Sequence, residues 1–145
     1  MRGLVALLLA GAASAQAPSQ AQSHQTQPSD LKHVMRDVLL PNANIVFSSQ
    51  LKVPNGDKGW QTVENAASGI KDAANLILVS GRLRSNGQPV PVQAADFIKF
   101  AQALVPAGAK CLKAAQARNP NAIGDCTDLL SETCDNCHNV YRDKP

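Results

Sequence analysis

The sequence predicts an all-α protein, an antiparallel four-helix bundle. Apolar residues recur at steps of three and four over four separate stretches, which is the helical period. No stretch alternates apolar and polar residues as a half-buried strand does. Connections of modest length favour antiparallel neighbours. The alternative is a looser three-helix arrangement with the first stretch detached.

The N-terminal residues predict export. Arg2 precedes an apolar run over residues 3–11, and Ala13-Ser14-Ala15 offers small residues for cleavage after Ala15. We therefore expect a signal peptide at residues 1–15, a disordered Gln-, Ser- and Pro-rich leader at 16–29 and the folded domain at 30–145. A hydrophobic first helix of a cytosolic domain is the alternative. The apolar run is too short to span a bilayer, and no other segment could, so we expect no stable membrane insertion.

The charge balance argues against nucleic acid as a partner. The chain has 14 Lys and Arg against 11 Asp and Glu, a formal net charge of +3 with neutral His. Removal of residues 1–15 takes away only Arg2 and leaves 13 against 11, a net charge of +2. A nucleic-acid interface needs a clear positive excess on one face, which this balance does not supply.

The first two helices are predicted over residues 30–50 and 59–83. Pro41 predicts a kink or break in the first, because proline lacks an N–H and crowds the preceding turn. A loop with turn-forming residues is expected around 52–59. The core stripes are Leu31, Val34, Met35, Val38 and Leu39 in the first helix, and Trp60, Val63, Ala67, Ile70, Ala74 and Ile77 in the second.

The last two helices are predicted over residues 92–118 and from Pro120 to Tyr141. Pro106 is expected to bend the third helix, and Pro120 to stand near the first position of the fourth. The apolar positions are Phe97, Ala101, Leu104, Gly108, Cys111 and Ala115 in the third helix, and Ile123, Leu129, Leu130, Cys134 and Tyr141 in the fourth.

The most specific motif is C-x-x-C-H, at Cys134, Cys137 and His138. This is the signature of covalent c-type haem attachment. Two thiols three residues apart can each bond one vinyl edge of a porphyrin, and the adjacent imidazole can then bind the iron. We therefore expect one covalent haem c on Cys134 and Cys137, with His138 as an axial iron ligand.

Three other interpretations of this motif are weaker. A thioredoxin-like dithiol needs a strand-to-helix context, which the sequence does not indicate. A disulfide within the motif would be strained in a helix. A zinc site would need a second pair of ligands, and adjacent Cys137 and His138 diverge.

The remaining cysteines, Cys111 and Cys126, are symmetric about the turn at residues 118–119. Antiparallel helices joined by a tight turn bring such positions level, so we expect a disulfide between them in an exported protein. Two free buried thiols are the alternative.

The C-terminal position of the motif in an exported four-helix chain resembles the class II cytochromes c, the cytochrome c-prime group. The resemblance covers about residues 30–142. Weaker matching features are Met35, Pro41, Trp60, Asn75, Leu76, Gly81, Arg82 and Tyr141. It implies either a low-spin iron with a Met from the first helix as sixth ligand, or a high-spin iron with an open position that binds NO or CO.

Two residues of the first helix compete for the sixth position. His33 and Met35 differ by about 200° around a helix, and only Met35 lies on the apolar stripe. We therefore expect Met35 as the sixth ligand, a raised potential and one-electron transfer. Ordinary core packing of Met35 is the alternative, and the high-spin gas-binding protein is the alternative function.

The expected role is that of a periplasmic electron carrier without catalytic residues. The sequence has no paired carboxylates, Ser–His–Asp set or phosphate loop. Redox proteins are the expected partners, and the resemblance makes a homodimer through the first two helices one expectation. The haem propionates would bind Arg36, Arg82 or Arg84, among which the sequence does not decide.

Overall fold

A computed structural model describes residues 30–142 of the chain. The predicted signal peptide and leader, and residues 143–145, lie outside the described residues. The described part is mostly helical and contains no strand, only an isolated antiparallel bridge between Leu83 and Pro89. The all-α class is therefore confirmed. In residues 30–142, no helix combines the length and the apolar character needed to cross a bilayer.

The first helix, α1, runs without a break through three stretches, Leu31–His33, the π-helical Val34–Leu39, and Leu40–Leu51. Of the kink or break predicted at Pro41, the break does not occur. The backbone N–H of Leu40 donates to the carbonyl of Met35, five residues back. This wider turn stands immediately before the proline, where the missing N–H and the ring would otherwise disrupt the regular helix. The helix therefore continues past Pro41.

The second helix, α2, spans Gly56–Ile77, three residues earlier at its start and six earlier at its end than predicted. Its predicted core stripe, from Trp60 to Ile77, is buried throughout. The chain then forms a connection over residues 78–94. Gly81 there has a φ of 83°, which glycine adopts without steric cost and which is incompatible with a continued helix.

The third helix, α3, has two segments, Ala95–Gln102 and Leu104–Gln116, with an interruption at Ala103. Pro106 explains the interruption, because it cannot donate to the carbonyl of Gln102 four residues back. The fourth helix, α4, spans Pro120–Tyr141, with proline at its first position as predicted. The side chain of Asn119 caps it by accepting from the backbone N–H groups of Asn121 and Ala122.

All four helices contribute to one hydrophobic core. Small residues allow α2 and α3 to approach closely: a Cβ added at Gly108 would stand 2.9 Å from the backbone carbonyl oxygen of Ala67. A side-chain hydrogen bond also joins the first helix to the last. The hydroxyl of Thr127 in α4 donates to the side-chain oxygen of Gln50 in α1 over 2.8 Å.

Candidate functional site

The C-x-x-C-H motif occupies the last two turns of α4. Cys134, Cys137, His138 and Tyr141 stand at i, i+3, i+4 and i+7, so they share one face of the helix. This face continues the buried stripe of α4, because Cys134 and Tyr141 pack against the core. Cys134 and Cys137 are free and half-buried, and the His138 side chain is exposed. The face therefore combines core packing at Cys134 and Tyr141 with a half-buried thiol and an exposed imidazole between them.

The surroundings of the motif favour the neutral form of all three groups. Burial raises the pKa of the Cys134 thiol, and the neighbouring Asp135 raises it further. Burial also raises the pKa of Cys137, with a second contribution from Cys134. Enough protein surrounds the His138 ring to lower its pKa; Arg142 lowers it further and Asp135 opposes the shift. A neutral imidazole is the form that binds a metal ion.

Tyr141, one turn beyond His138, is held by the start of α3. Its hydroxyl donates to Oδ2 of Asp96 over 2.6 Å. Its ring meets those of Phe97 and Phe100 edge to face, with centroid distances of 5.0 and 6.1 Å. The hydrogen bond lowers the pKa of Asp96 and raises that of Tyr141. Sequence reasoning missed Asp96, because 45 residues separate it from Tyr141 and no local pattern joins them.

The three candidate arginines have different surroundings. Nη2 of Arg84 donates to the backbone carbonyl of Tyr141 over 3.1 Å, at the end of the motif's helix. Arg82 is buried, and its Nε donates to the carbonyl of Leu76 over 2.9 Å. Arg36 is exposed and forms an ion pair with its neighbour Asp37. Of the hydrogen bonds and ion pair just described, only that of Arg84 reaches the helix that carries the motif.

The beginning of α1 lies at the same end of the molecule as the motif. The backbone N–H of Leu31 donates to the carbonyl of Leu83 over 3.0 Å, and the next residue, Arg84, contacts Tyr141. Met35 lies one turn further along α1, half-buried and packed against the core. His33 is exposed. The two side chains therefore have the different surroundings that the apolar stripe predicts, and Met35 lies within the π-helical stretch.

Cys111 and Cys126 form a disulfide, with their Cα atoms 5.1 Å apart. It joins the second segment of α3 to α4. Cys126 precedes Cys134 by eight residues, about 12 Å along a helix axis. The four cysteines thus divide into a buried, bonded pair and a free, half-buried pair, and only the free pair belongs to the motif.

No three His, Cys, Asp or Glu side chains within residues 30–142 come together as a ligand set for a metal ion. A metal at this site would need ligands from another source as well. Comparison with protein-family models, curated proteins and solved structures gives no match for this chain. The functional argument therefore depends on the motif and its surroundings.

Proposed function

We propose that this chain is a class II c-type cytochrome that carries one covalent haem and transfers single electrons between redox proteins. Cys134 and Cys137 would hold the haem and His138 would bind its iron. The observation that supports this most is the pair of free, half-buried thiols beside an imidazole whose surroundings favour its neutral form, all on one helix face.

The donor set fits a haem better than a metal bound by protein side chains alone. A porphyrin supplies four nitrogen ligands of its own, so the protein has to provide only axial ligands and attachment points. His138 suits the axial role, and the two thiols suit attachment. When bound, the haem supplies a reversible one-electron couple at its iron, and the chain's residues orient it and limit its access to water.

A redox dithiol is a poorer interpretation of the same residues. Reactive cysteines of that kind have lowered pKa values, because the thiolate is the nucleophile. Here burial raises the pKa of both motif thiols, and Asp135 adds to the effect at Cys134. The motif also lies at the end of a long helix, and no strand precedes it in the described part of the chain.

Met35 is the proposed sixth ligand. Its half-buried side chain packs against the core, and its part of α1 reaches the motif's end of the molecule through the contacts of Leu31 with Leu83 and of Arg84 with Tyr141. A thioether and an imidazole would give a low-spin iron suited to electron transfer.

We further propose that the helices form an antiparallel bundle and that Arg84 binds a haem propionate. Asp96 at the start of α3 contacts Tyr141 at the end of α4, whereas Cys111 late in α3 is bonded to Cys126 early in α4. This pairing of starts with ends is typical of antiparallel neighbours. Among the candidate arginines, Arg84 has the contact with the motif's helix that favours it.

The periplasm is the proposed location. The residues that predict export lie outside the described part of the chain. The disulfide between Cys111 and Cys126 supports an oxidising compartment, because cytosolic thiols are kept reduced. The redox partners, and a homodimer through α1 and α2, belong to the same proposal.

The decisive experiment is an optical spectrum of the protein from cells that can attach haem, oxidised and reduced, with and without carbon monoxide. We expect a c-type spectrum with covalent haem in the denatured chain. Replacing both Cys134 and Cys137 by alanine should abolish covalent haem, whereas the matched replacement of Cys111 and Cys126 should leave it. Colourless wild-type protein would contradict the proposal.

The same spectra test the sixth ligand. Wild-type protein should be low-spin with a methionine-to-iron band when oxidised, and Met35→Ala should lose that band and bind carbon monoxide readily. His33→Ala, on the exposed side of α1, is the matched control and should keep the wild-type spectrum. A high-spin wild-type protein that binds carbon monoxide would instead indicate the gas-binding function.

A further inference from the structure

The Asp96 carboxylate accepts hydrogen bonds from two helices, its own helix α3 and the motif's helix α4. It lies in the first turn of α3, where its Oδ1 accepts the backbone N–H of Phe97 over 2.9 Å. A carboxylate is favourable at a helix N-terminus, where the helix dipole is positive. The other oxygen, Oδ2, accepts the Tyr141 hydroxyl over 2.6 Å. The carboxylate therefore links the start of α3 to the last residue of α4.

Tyr141 is held at its ring and at its backbone by different segments. The ring meets Phe97, which is 1% exposed, and Phe100. The backbone carbonyl accepts from Arg84, in the connection between α2 and α3. The last four carbonyls of a helix have no partner within it, so helix ends open easily unless other groups hold them. Here the last turn is held from two sides.

This last turn is the one that begins with His138. The backbone N–H of Arg142 donates to the His138 carbonyl over 3.1 Å and closes the helix there. His138 and Tyr141 are three residues apart and so are neighbours on the helix surface. Any contact that restrains Tyr141 therefore restrains the backbone from which the imidazole projects.

We propose that Asp96 is a positioning residue that acts through Tyr141 to fix the helical turn presenting His138. The part of this inference that concerns the iron rests on the proposed function. Groups outside the ligand shell commonly fix the orientation of a ligating imidazole and so tune the metal. Asp96 would serve that purpose indirectly, by holding Tyr141 at the end of the helix that carries His138.

The first test is amide hydrogen exchange in the full chain prepared without haem. Asp96→Ala and Tyr141→Phe each remove the hydrogen bond, and we expect amides at residues 138–142 to exchange about tenfold faster in both. Asp96→Asn keeps an acceptor oxygen and should exchange nearly as slowly as wild type. Asp128→Ala removes an exposed carboxylate from α4 itself and is the matched control. Unchanged exchange in both variants would overturn the proposal.

The second test is electron paramagnetic resonance of the oxidised, haem-loaded protein. Asp96→Ala should broaden the low-spin lines, because the imidazole then adopts a range of orientations, and Asp96→Asn should restore narrow lines. Faster exchange with unchanged lines would overturn the positioning role. Wild-type protein that takes up no haem would refute the proposed function, while exchange in the haem-free chain would still decide whether Asp96 holds this turn.

Discussion

Replacing Gly108 by alanine tests the close approach of α2 and α3. A Cβ at this position would meet the backbone carbonyl oxygen of Ala67 at 2.9 Å and Cγ of Lys71 at 2.7 Å. The lysine side chain can move away, but the helix backbone cannot move without separating the two helices. Overpacking of this kind costs about 1–3 kcal/mol. The Gly→Ala change itself favours a helix by about 1 kcal/mol, so we expect a net loss of up to about 2 kcal/mol.

Gly124 is a matched control for this substitution. Each glycine is the fifth residue of its helical segment, in Leu104–Gln116 and Pro120–Tyr141 respectively. A Cβ at Gly124 would meet only the side-chain nitrogen of Gln50, at 3.8 Å. Gly124→Ala should therefore gain about 1 kcal/mol from helix propensity, which raises the melting temperature by about 4 °C.

Urea denaturation measures the difference in free energy of unfolding between the two variants, provided that the slopes of free energy against urea concentration are equal. Because the propensity gain is common to both, the difference in free energy of unfolding isolates the clash and should be about 1–3 kcal/mol. Equal stability of the two variants would show that α2 and α3 do not approach each other as described.

Two further predictions concern stability. Replacing both Cys111 and Cys126 by alanine removes a disulfide that spans 15 residues and should lower the free energy of unfolding by about 3 kcal/mol. Urea denaturation measures this loss, and unchanged stability of the double variant would contradict the prediction. The Asp96–Tyr141 hydrogen bond should stabilise the fold between the ordinary pKa values of 3.8 and 10.0. Its contribution should fade as pH falls from 3.8 through the lowered pKa of folded Asp96, and as pH rises from 10.0 through the raised pKa of folded Tyr141. Melting curves of wild type and Tyr141→Phe, which lacks the hydroxyl, should differ most near neutral pH, and a difference that does not change with pH would refute this prediction.

The helical periodicity predicted the buried faces of α2 and α3, whereas the stripes of α1 and α4 also contain half-buried residues. Every residue of the stripe from Trp60 to Ile77, and of the stripe from Phe97 to Ala115, is buried. Periodicity works here because each helix buries one face, and that face follows from residue spacing. Helix ends were less predictable: the sequence pattern extended α2 through the apolar Leu78, Val79 and Leu83, whereas Gly81 and the Leu83–Pro89 bridge belong to the connection.

Pro41 shows a limit of local rules. A proline in a helix removes a donor and adds a clash, so a kink or a break was the expectation. The π-helical stretch before the proline accommodates both the missing donor and the ring, and no feature of the sequence predicted that stretch. Whether a helix breaks or widens depends on how strongly its neighbours hold both halves, and Val34, Leu39, Ala43 and Val46 are all buried in the common core.

The sequence by itself determined the chemistry of the motif at residues 134–138, because the spacing of Cys134, Cys137 and His138 places them on one helix face wherever that helix packs. Tertiary structure alone decided what surrounds them. Asp96 and Arg84 reach Tyr141 across 45 and 57 residues. Such contacts depend on which helix ends meet, and that is set by the packing of all four helices, not by any local pattern. The spacing of the motif therefore places its three side chains on one helix face, and only the fold supplies the groups that hold the last turn of that helix.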